Sequence, residues 1–247
     1  MKIIVPLFAF VCLVACSDKN DLQDAQAIVD ASIAYHGMNK LDDAAFELTF
    51  RGLDYSYEMH NGQYQYTRSQ IDSTGAVIDD FLDNNGLTRL VNDDTVKLED
   101  EKRAAYARSV NSVIYFFRLP YGLNDEAVIK KFNGDVAING KQFKEVEITF
   151  EQSGGGEDFD DVFLYWFDKE DYSLDYVAYL YHTDGGGMRF REAINQRRIN
   201  GTLIQDYINY KPEDEGMDIH DIAELYNQGG LKELSRIINE EVQINYE

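Results

Sequence analysis

Apolar and polar side chains alternate from residue 46 to about residue 98, and this period of two constrains the fold more than any other feature of the sequence. Successive side chains of a strand point to opposite faces of a sheet, so the pattern is typical of strands with one covered face. The apolar positions of the first two strands are Phe46, Leu48, Phe50, Leu53, Tyr55, Tyr57 and Met59. The alternation therefore predicts consecutive antiparallel strands.

The dipeptide Asn61-Gly62 predicts a tight hairpin, because both residues tolerate a positive φ angle. A two-residue turn at this place fixes the register of the flanking strands. The expected pairs are Met59 with Tyr64, Tyr57 with Tyr66, and Tyr55 with Arg68. They form an aromatic ladder that ends in a guanidinium group. Further turns are predicted at 73–75, 84–86 and 92–94.

Two segments have the spacing of helices. Residues 21–36 read as an amphipathic helix with Asp21 available as a cap and Gly37 as a stop. The residues at i, i+3, i+4, i+7 and i+8 of its inner face are Ala25, Ile28, Val29, Ser32 and Ile33. Residues 99–118 interrupt the strands, and the helix predicted there is closed by Leu119-Pro120. Its apolar face consists of Tyr106, Val110, Val113, Ile114 and Phe117. This second helix must cover an apolar surface.

The strand pattern then resumes, and two of the later strands are apolar on both faces. The segments predicted as strands are 127–138, 141–151, 161–168, 172–182, 188–196 and 199–210, with a turn at Asn139-Gly140. Because 162–167 and 177–181 are apolar on both faces, we expect a curved sheet whose middle strands are covered on one side and line a hollow on the other. The tail from Ile222 to Ile238 is spaced like a helix broken at Gly229-Gly230.

These patterns predict a mainly antiparallel α+β fold, in which a strongly curved sheet forms a half-barrel with a few covering helices. The chain has a hydrophobic content of 44%, which is typical of a packed protein. No repeat or linker suggests a second domain, so residues 23–247 are expected to form one domain with a C-terminal helix.

The first sixteen residues have the features of an export signal. Lys2 precedes 13 apolar residues, Ile3 to Ala15, which are too few to span a bilayer. The sequence Leu13-Val14-Ala15-Cys16 resembles the lipobox of bacterial lipoproteins. The resemblance implies cleavage after residue 15, acylation of Cys16, and a tether over 16–22; the alternative is an ordinary secretory signal with a chance cysteine. The expected location is the cell envelope, anchored at the outer membrane and facing either the periplasm or the cell surface.

The charge balance excludes one class of partner. The chain has 23 Lys and Arg against 45 Asp and Glu, a net charge of −22. A nucleic acid would be repelled over most of such a surface, so no nucleic-acid partner is expected.

No catalytic or metal-binding pattern is distinct in the sequence. The glycine triplets at 154–156 and 185–187 lie between strands, whereas a phosphate loop leads into a helix, so loops or bulges are favoured. The acidic residues Glu157, Asp158, Asp160 and Asp161 lack the spacing of a calcium loop. The four histidines are scattered, and no GxSxG motif occurs. Hence no catalytic residue, metal or cofactor is predicted.

Five arginines stand inside predicted strands of this acidic chain: Arg51, Arg68, Arg89, Arg189 and Arg191. Two explanations stay open. Each arginine can pair with a carboxylate across a strand, or a cluster can bind the carboxylate or phosphate head group of a ligand. Under the second explanation Arg51, Arg89, Arg189 and Arg191 are the candidate head-group contacts.

Four stretches carry a resemblance to a family. They are SVNSVIYFFRLPYGLNDEAV (109–128), ITFEQSGGGEDFDDVFLYWFD (148–168), GGGMRFREAIN (185–195) and IQDYINY (204–210). They look like an uncharacterised family of Gram-negative bacterial lipoproteins, a domain of unknown function. The resemblance implies the plan of outer-membrane lipoprotein carriers, a bent antiparallel sheet with helices that plug an apolar hollow. It implies no catalytic residues.

The function expected from these features is the binding of a lipid or other amphipathic ligand in an apolar groove, without catalysis. The candidate groove residues are Tyr55, Tyr57, Tyr64, Tyr66, Arg68, Trp166, Tyr179 and Phe190, mostly aromatic rings with an apolar flank and, in part, a polar tip. One alternative is an envelope enzyme that acts on a lipid or polymer with Arg and a carboxylate such as Asp206 or Glu192. Another is a structural or assembly lipoprotein without a ligand.

Overall fold

The computed structural model describes residues 23–41, 44–60, 62–151 and 160–246, which form two seven-stranded antiparallel sheets. The predicted signal and tether, with Cys16, lie outside the described residues. The first sheet begins with six consecutive strands, β1 (Ala44–Phe50), β2 (Leu53–His60), β3 (Gln63–Ile71), β4 (Val77–Asp83), β5 (Gly86–Val91) and β6 (Asp94–Val96).

The second sheet is built by the rest of the chain except its last strand. Its strands are β7 (Val128–Ile138), β8 (Lys141–Phe150), β9 (Val162–Asp168), β10 (Leu174–Tyr181), β11 (Gly187–Ile199), β12 (Thr202–Pro212) and β13 (Leu231–Ile237). The last strand, β14 (Glu240–Tyr246), returns to the first sheet and pairs with β1. Both sheets are curved and neither closes on itself, so the predicted half-barrel fold class is confirmed, although two sheets replace the single expected one.

The hairpin register of β2 and β3 is the predicted one. Met59 pairs with Tyr64, Tyr57 with Tyr66, and Tyr55 with Arg68; Asn61 itself lies outside the described residues. The turn Asn139-Gly140 is also confirmed, with both φ angles positive. Between β11 and β12 the turn is Asn200-Gly201, later than expected, because β11 has an irregular register between Ile194 and Arg197 that lengthens it.

The first helix, α1 (Ala25–His36), ends as predicted at Gly37 but begins later than expected. Its cap is Asp24 and not Asp21, because the Asp24 carboxylate accepts a hydrogen bond from the Ala27 N–H at 2.8 Å. Gly37 has a φ of 68°, the left-handed conformation that glycine adopts readily at a helix end. The helix buries Ile28 and Val29 against the second sheet.

The second helix, α2 (Asp100–Phe117), lies between the two sheets. Val110, Ile114 and Phe117 form the predicted apolar face and are buried against the first sheet. Residues of the opposite face, Tyr115 and Phe116, contact aromatic rings of the second sheet. Because α2 lies between two curved sheets, a cleft is left along its second face, where Ala105, Ser109 and Ser112 remain exposed.

The predicted broken helix of the tail is wrong beyond its first turns. A short helix, α3, runs over Ile222–Asn227, but the residues after Gly229-Gly230 form β13 and β14. Leu231, Leu234 and Ile237 have the spacing of a helix face, but they lie in β13, which extends the second sheet by pairing with β12. Leu234 is 47% exposed, which shows that this spacing does not mark a buried face.

The middle strands β9 and β10 are apolar on both faces because both faces are covered. Tyr165 and Val177 lie in the core with α1, whereas Trp166 and Ala178 lie in a separate core beneath α3. The expectation that one face lines a hollow therefore holds only near the ends of these strands, next to α2.

Candidate functional site

A cavity of about 470 Å³ lies between α2 and strands β9, β10 and β11. On α2 its wall includes Ala105, Ser109, Ser112 and Phe116, which recur along one helix face, together with Arg108, Asn111 and Tyr115 beside them. Three of these side chains are small, so the helix stands away from the sheet here and leaves a space.

The apolar part of the cavity is a group of aromatic rings. The Phe116 and Tyr179 ring centroids are 5.2 Å apart, and Tyr179 stacks on Phe163 at 5.4 Å. Behind them the hydroxyls of Tyr115 and Tyr165 are 2.8 Å apart. Burial raises the pKa of Tyr115 to about 12, which reflects how little water reaches this pair of hydroxyls.

Arg189 forms the rim of the cavity and is fully engaged with its neighbours. Its guanidinium donates to the Tyr181 hydroxyl at 2.8 Å and to the Met188 carbonyl at 2.7 Å. The Glu215 carboxylate is 3.4 Å away and supplies a counter-charge. A Cβ atom on Gly187 would lie 2.5 Å from a Glu215 oxygen, so glycine is required for this arrangement.

Arg191 lies deeper, and only 8% of it is exposed. Its guanidinium carbon is 3.5 Å from the centroid of the Phe116 ring, a cation–π contact, and one terminal nitrogen donates to the Tyr179 hydroxyl at 2.9 Å. No ion pair joins Arg191 to a carboxylate of the described residues, and its Nε is buried without a partner. A buried cation without an anion is costly, which makes Arg191 the unusual group of the site.

A second cavity of about 210 Å³ adjoins the first, and both are lined by Ser112, Phe116 and Arg191. The wall of the second cavity continues over Tyr207 and Asn209 of β12. We call the two cavities together the α2 groove. Arg191 stands where they meet and can reach a ligand in either one.

The four tyrosines predicted for the groove in the first sheet do not line it. Tyr55, Tyr57 and Tyr66 are buried, and Tyr64 packs beside them. The ladder is continuous, with ring centroids 5.5 Å apart for Tyr57 and Tyr66 and 4.6 Å apart for Tyr64 and Tyr66. The α2 face of Val110, Ile114 and Phe117 covers these rings, so they belong to the core.

Arg68 and Arg89 each pair with a carboxylate across a strand, which is the first of the two explanations given for the strand arginines. Both bind Asp80, which stands opposite each of them on β4. The Nε atoms of Arg68 and Arg89 donate to the Asp80 carboxylate at 3.0 and 2.7 Å. This cross-strand group lies under the N-terminal half of α2, where Arg89 packs on Tyr106.

Trp166 and Phe190 are also outside the groove. Both are fully buried on the opposite face of the second sheet, where the Phe190 ring stacks on Tyr226 of α3 at 4.5 Å. The Trp166 indole N–H donates to Glu145 at 2.9 Å. Of the eight predicted groove residues, the structure therefore brings only Tyr179 to the cavity. Of the four head-group candidates it brings Arg189 and Arg191 there, and the exposed Arg51 to the second cavity.

The two carboxylates of the enzyme alternative lie away from the groove lining. Asp206 accepts hydrogen bonds from the Asn239 N–H at 2.9 Å and from the Asn195 amide at 3.0 Å, so it stabilises a strand connection. Glu192 accepts from the Tyr210 hydroxyl at 3.0 Å on the face covered by α3.

The other motifs noted in the sequence take part in connections of the fold or lie outside the described residues. Gly185–Gly187 connect β10 to β11, as predicted, whereas Gly154–Gly156, Glu157 and Asp158 lie outside the described residues. Asp161 accepts a hydrogen bond from the His182 N–H at 3.1 Å. Within the described ranges no group of three or more His, Cys, Asp or Glu side chains could hold a metal ion. None of the described helices is long and apolar enough to cross a membrane.

Sequence reasoning missed the groove face of α2 and Asn209. The signal was present, because small residues at 105, 109 and 112 followed by Phe116 have the spacing of one helix face. A helix with one apolar face and a separate stripe of small residues can have a gap between that stripe and the neighbouring element. Asn209 gave no such signal, since a polar residue in a strand is usually exposed.

The fold and groove define a class of protein, a curved antiparallel half-barrel with a helix set into it and a partly apolar cavity beside the helix. The chain belongs to DUF6503, a family of unknown function, whose sequence model matches residues 3–239. This confirms the expected domain of unknown function. Among curated proteins none matches the chain significantly.

Several solved structures are similar to this chain. One is a LolA superfamily protein from Nitrosomonas europaea, with a TM-score of 0.45 and 10% identity over 89% of this chain and 92% of that one. A DUF1329 family protein from Desulfovibrio piger has a TM-score of 0.44 and 11% identity over 92% and 94% of the two chains. The Mycobacterium tuberculosis lipoprotein LppX has a TM-score of 0.28 and 11% identity over 65% and 91%. These likenesses concern the fold alone.

Proposed function

We propose that the protein is a lipid-anchored envelope protein that binds a lipid or other amphipathic ligand in the α2 groove and catalyses no reaction. The α2 groove itself carries this proposal. Its larger cavity, of about 470 Å³, falls in the range of small-molecule sites, roughly 300–1,000 Å³. Rings of Phe116, Phe163 and Tyr179 offer an apolar surface, and Arg191 offers a hydrogen-bond donor to a polar head.

Native mass spectrometry tests the binding. The protein is released from its own membrane with a mild detergent, and its native mass is compared with its denatured mass, which retains covalent acyl groups. We expect an additional mass in the native state only, and lipid extraction identifies it. Equal native and denatured masses would contradict the proposal.

A matched pair of variants locates the ligand. Ser112 lines both cavities, so Ser112→Trp places an indole in the α2 groove. Lys102→Trp places the same side chain on α2 at a position that lines neither cavity. The first variant should lose the additional mass and the second should keep it, with both melting near the wild-type temperature. Loss in both variants, or in neither, would place the ligand elsewhere.

The anchor is tested separately. We propose that residues 1–15 are removed, that Cys16 carries the acyl chains, and that 16–22 form a tether at the outer membrane. Two or more acyl chains anchor a protein stably, whereas one does not. Cys16→Ser should therefore move the protein out of the membrane fraction, while Cys12→Ser should leave it there. Retention of Cys16→Ser in the membrane would refute acylation at this residue.

A further inference from the structure

Arg191 and Asn209 stand directly opposite each other on β11 and β12. Opposite residues of neighbouring strands present their side chains on the same face, here the face that lines the second cavity. Each is only 8% exposed. The pairing of β12 with β13 has an irregular register next to Asn209, a feature that re-aims side chains and is frequent at binding sites.

Both side chains keep a buried polar atom without a partner, and the two atoms are complementary. The Nε of Arg191 is a charged donor, and the Oδ1 of Asn209 is an acceptor. The other polar atoms of these side chains are engaged at the walls, since Arg191 donates to Tyr179 at 2.9 Å and the Asn209 amide donates to Ser235 at 3.4 Å. Buried polar atoms are nearly always satisfied, so this adjacent pair calls for a ligand.

The other strand arginines differ from Arg191 in one respect. Arg68 and Arg89 are neutralised by Asp80, and Arg189 has Glu215 beside it. Arg191 instead packs on the Phe116 and Tyr179 rings and donates to the Tyr179 hydroxyl, and no carboxylate of the described residues forms an ion pair with it. In a chain with 45 acidic residues, a buried arginine that no described carboxylate neutralises is suited to an anion supplied from outside.

We infer that Arg191 and Asn209 form a head-group subsite for an anionic amphiphile that carries a hydroxyl next to its oxyanion. The inference rests on the proposed function and specifies its ligand class. The oxyanion accepts a hydrogen bond from Arg191 Nε, and the adjacent hydroxyl donates to Asn209 Oδ1. The apolar chain extends into the larger cavity, over Phe116, Phe163 and Tyr179.

Three probes of one chain length separate the two contacts. They are dodecanol, dodecanoic acid and the α-hydroxy derivative of dodecanoic acid, each titrated calorimetrically into delipidated protein at a pH where the acids are ionised. We expect the acid to bind at least about tenfold more tightly than the alcohol, because a charge-assisted hydrogen bond discriminates to that degree or more. The hydroxy acid should bind several-fold more tightly still.

Two variants assign each preference to its residue. Arg191→Met keeps the length of the side chain and should abolish the preference for acid over alcohol. Asn209→Leu should abolish only the preference for hydroxy acid over acid. Arg103→Met removes an exposed arginine of α2 outside the groove and should change neither preference. If Arg191→Met fails to fold, as judged by circular dichroism, Arg191→Lys keeps the charge but loses the Nε donor, and the preference for acid should fall without vanishing.

The outcomes separate this inference from the proposed function. Equal binding of all three probes would overturn the subsite, because water then satisfies both atoms, and would leave ligand binding in place. Acid selectivity that survives in Arg191→Met would also overturn it, as would a hydroxyl preference that is absent or that survives in Asn209→Leu. Binding of none of the probes would count against both proposals.

Discussion

The imidazole Nε2 of His36 accepts a hydrogen bond from the backbone N–H of Leu174 at 3.1 Å. This contact joins the last turn of α1 to the start of β10, and His36 is fully buried there. Burial lowers the pKa of His36 to about 4, because the charged imidazolium loses its hydration. The folded protein therefore holds a neutral histidine at neutral pH.

The stability of the fold should depend on pH through His36. In the unfolded chain this histidine titrates near its usual pKa of about 6.5, so between that pH and about 4 the unfolded state binds more protons than the folded state. The free energy of unfolding should fall over this window as the pH falls, by about 3 kcal/mol in total from this group. Urea unfolding at a series of pH values measures it. The free energy of unfolding of the wild type, measured relative to that of His36→Gln, should decrease as the pH falls. A difference between the two proteins that does not change with pH would contradict the prediction.

Asp80 should be among the most important carboxylates for stability. It is fully buried between Arg68 and Arg89. Burial by itself would raise the pKa of Asp80, but hydrogen bonds from Arg89 and Arg68 outweigh that effect and lower the pKa. Asp80→Asn leaves two arginines without their counter-charge and should cost about 3–5 kcal/mol. Asp79→Asn, at the neighbouring partly buried position, should cost about 1 kcal/mol or less in the same urea titration. Equal losses would show that the buried carboxylate has no special role.

Gly37 is required for the close approach of α1 to the turn between β11 and β12. Its φ is 68°, and a Cβ atom there would lie 2.5 Å from the Gly201 carbonyl oxygen. Gly140 has a similar φ of 79° with no atom within 4 Å of such a Cβ. Gly140→Ala should cost only the conformational term of about 1–2 kcal/mol, and Gly37→Ala should cost clearly more. Thermal unfolding of both variants checks this, and equal shifts in Tm would contradict the steric argument.

His220 should fix the α3 region to the second sheet in a pH-dependent manner. Its ring nitrogens are 3.0 Å from the Glu147 carboxylate and 2.8 Å from that of Asp218. Hydrogen bonds to Glu147 and Asp218 raise the pKa of His220, so the stabilising contribution is complete below its usual value of about 6.5 and is lost as the pH rises through the raised pKa. Hydrogen exchange, corrected for intrinsic rates, should show weaker protection of α3 at alkaline pH. His220→Gln should remove that difference.

Much of the local structure followed from the sequence. The alternation around Tyr57 and the pair Asn61-Gly62 gave the observed register of β2 and β3, because a two-residue turn leaves a single pairing that keeps the apolar side chains together. Gly37 marked the end of α1, and the spacing of Val110, Ile114 and Phe117 marked the buried face of α2. The expected export signal and the acylation of Cys16 lie outside the described residues and stay predictions.

The site was less predictable than the fold. Arg68 and Arg191 have the same kind of sequence neighbourhood, an arginine inside an alternating strand, yet Arg68 is neutralised by Asp80 and Arg191 faces a cavity. Similarly, Trp166 and Tyr179 were both assigned to one groove, but they lie on opposite faces of the second sheet. The helical spacing of Leu231, Leu234 and Ile237 predicts a helix in the tail, but pairing with β12 makes this segment a strand.

The sequence by itself determined which side chains share a face of each strand or helix, because that depends only on the period of the local backbone. Tertiary structure alone decided what lies over each face: core for the tyrosine ladder, α3 for Trp166, and the α2 groove for Arg191. What covers each face depends on the position of α2 between the two curved sheets. Contacts between residues far apart in the chain, and small residues that leave a gap, set this position.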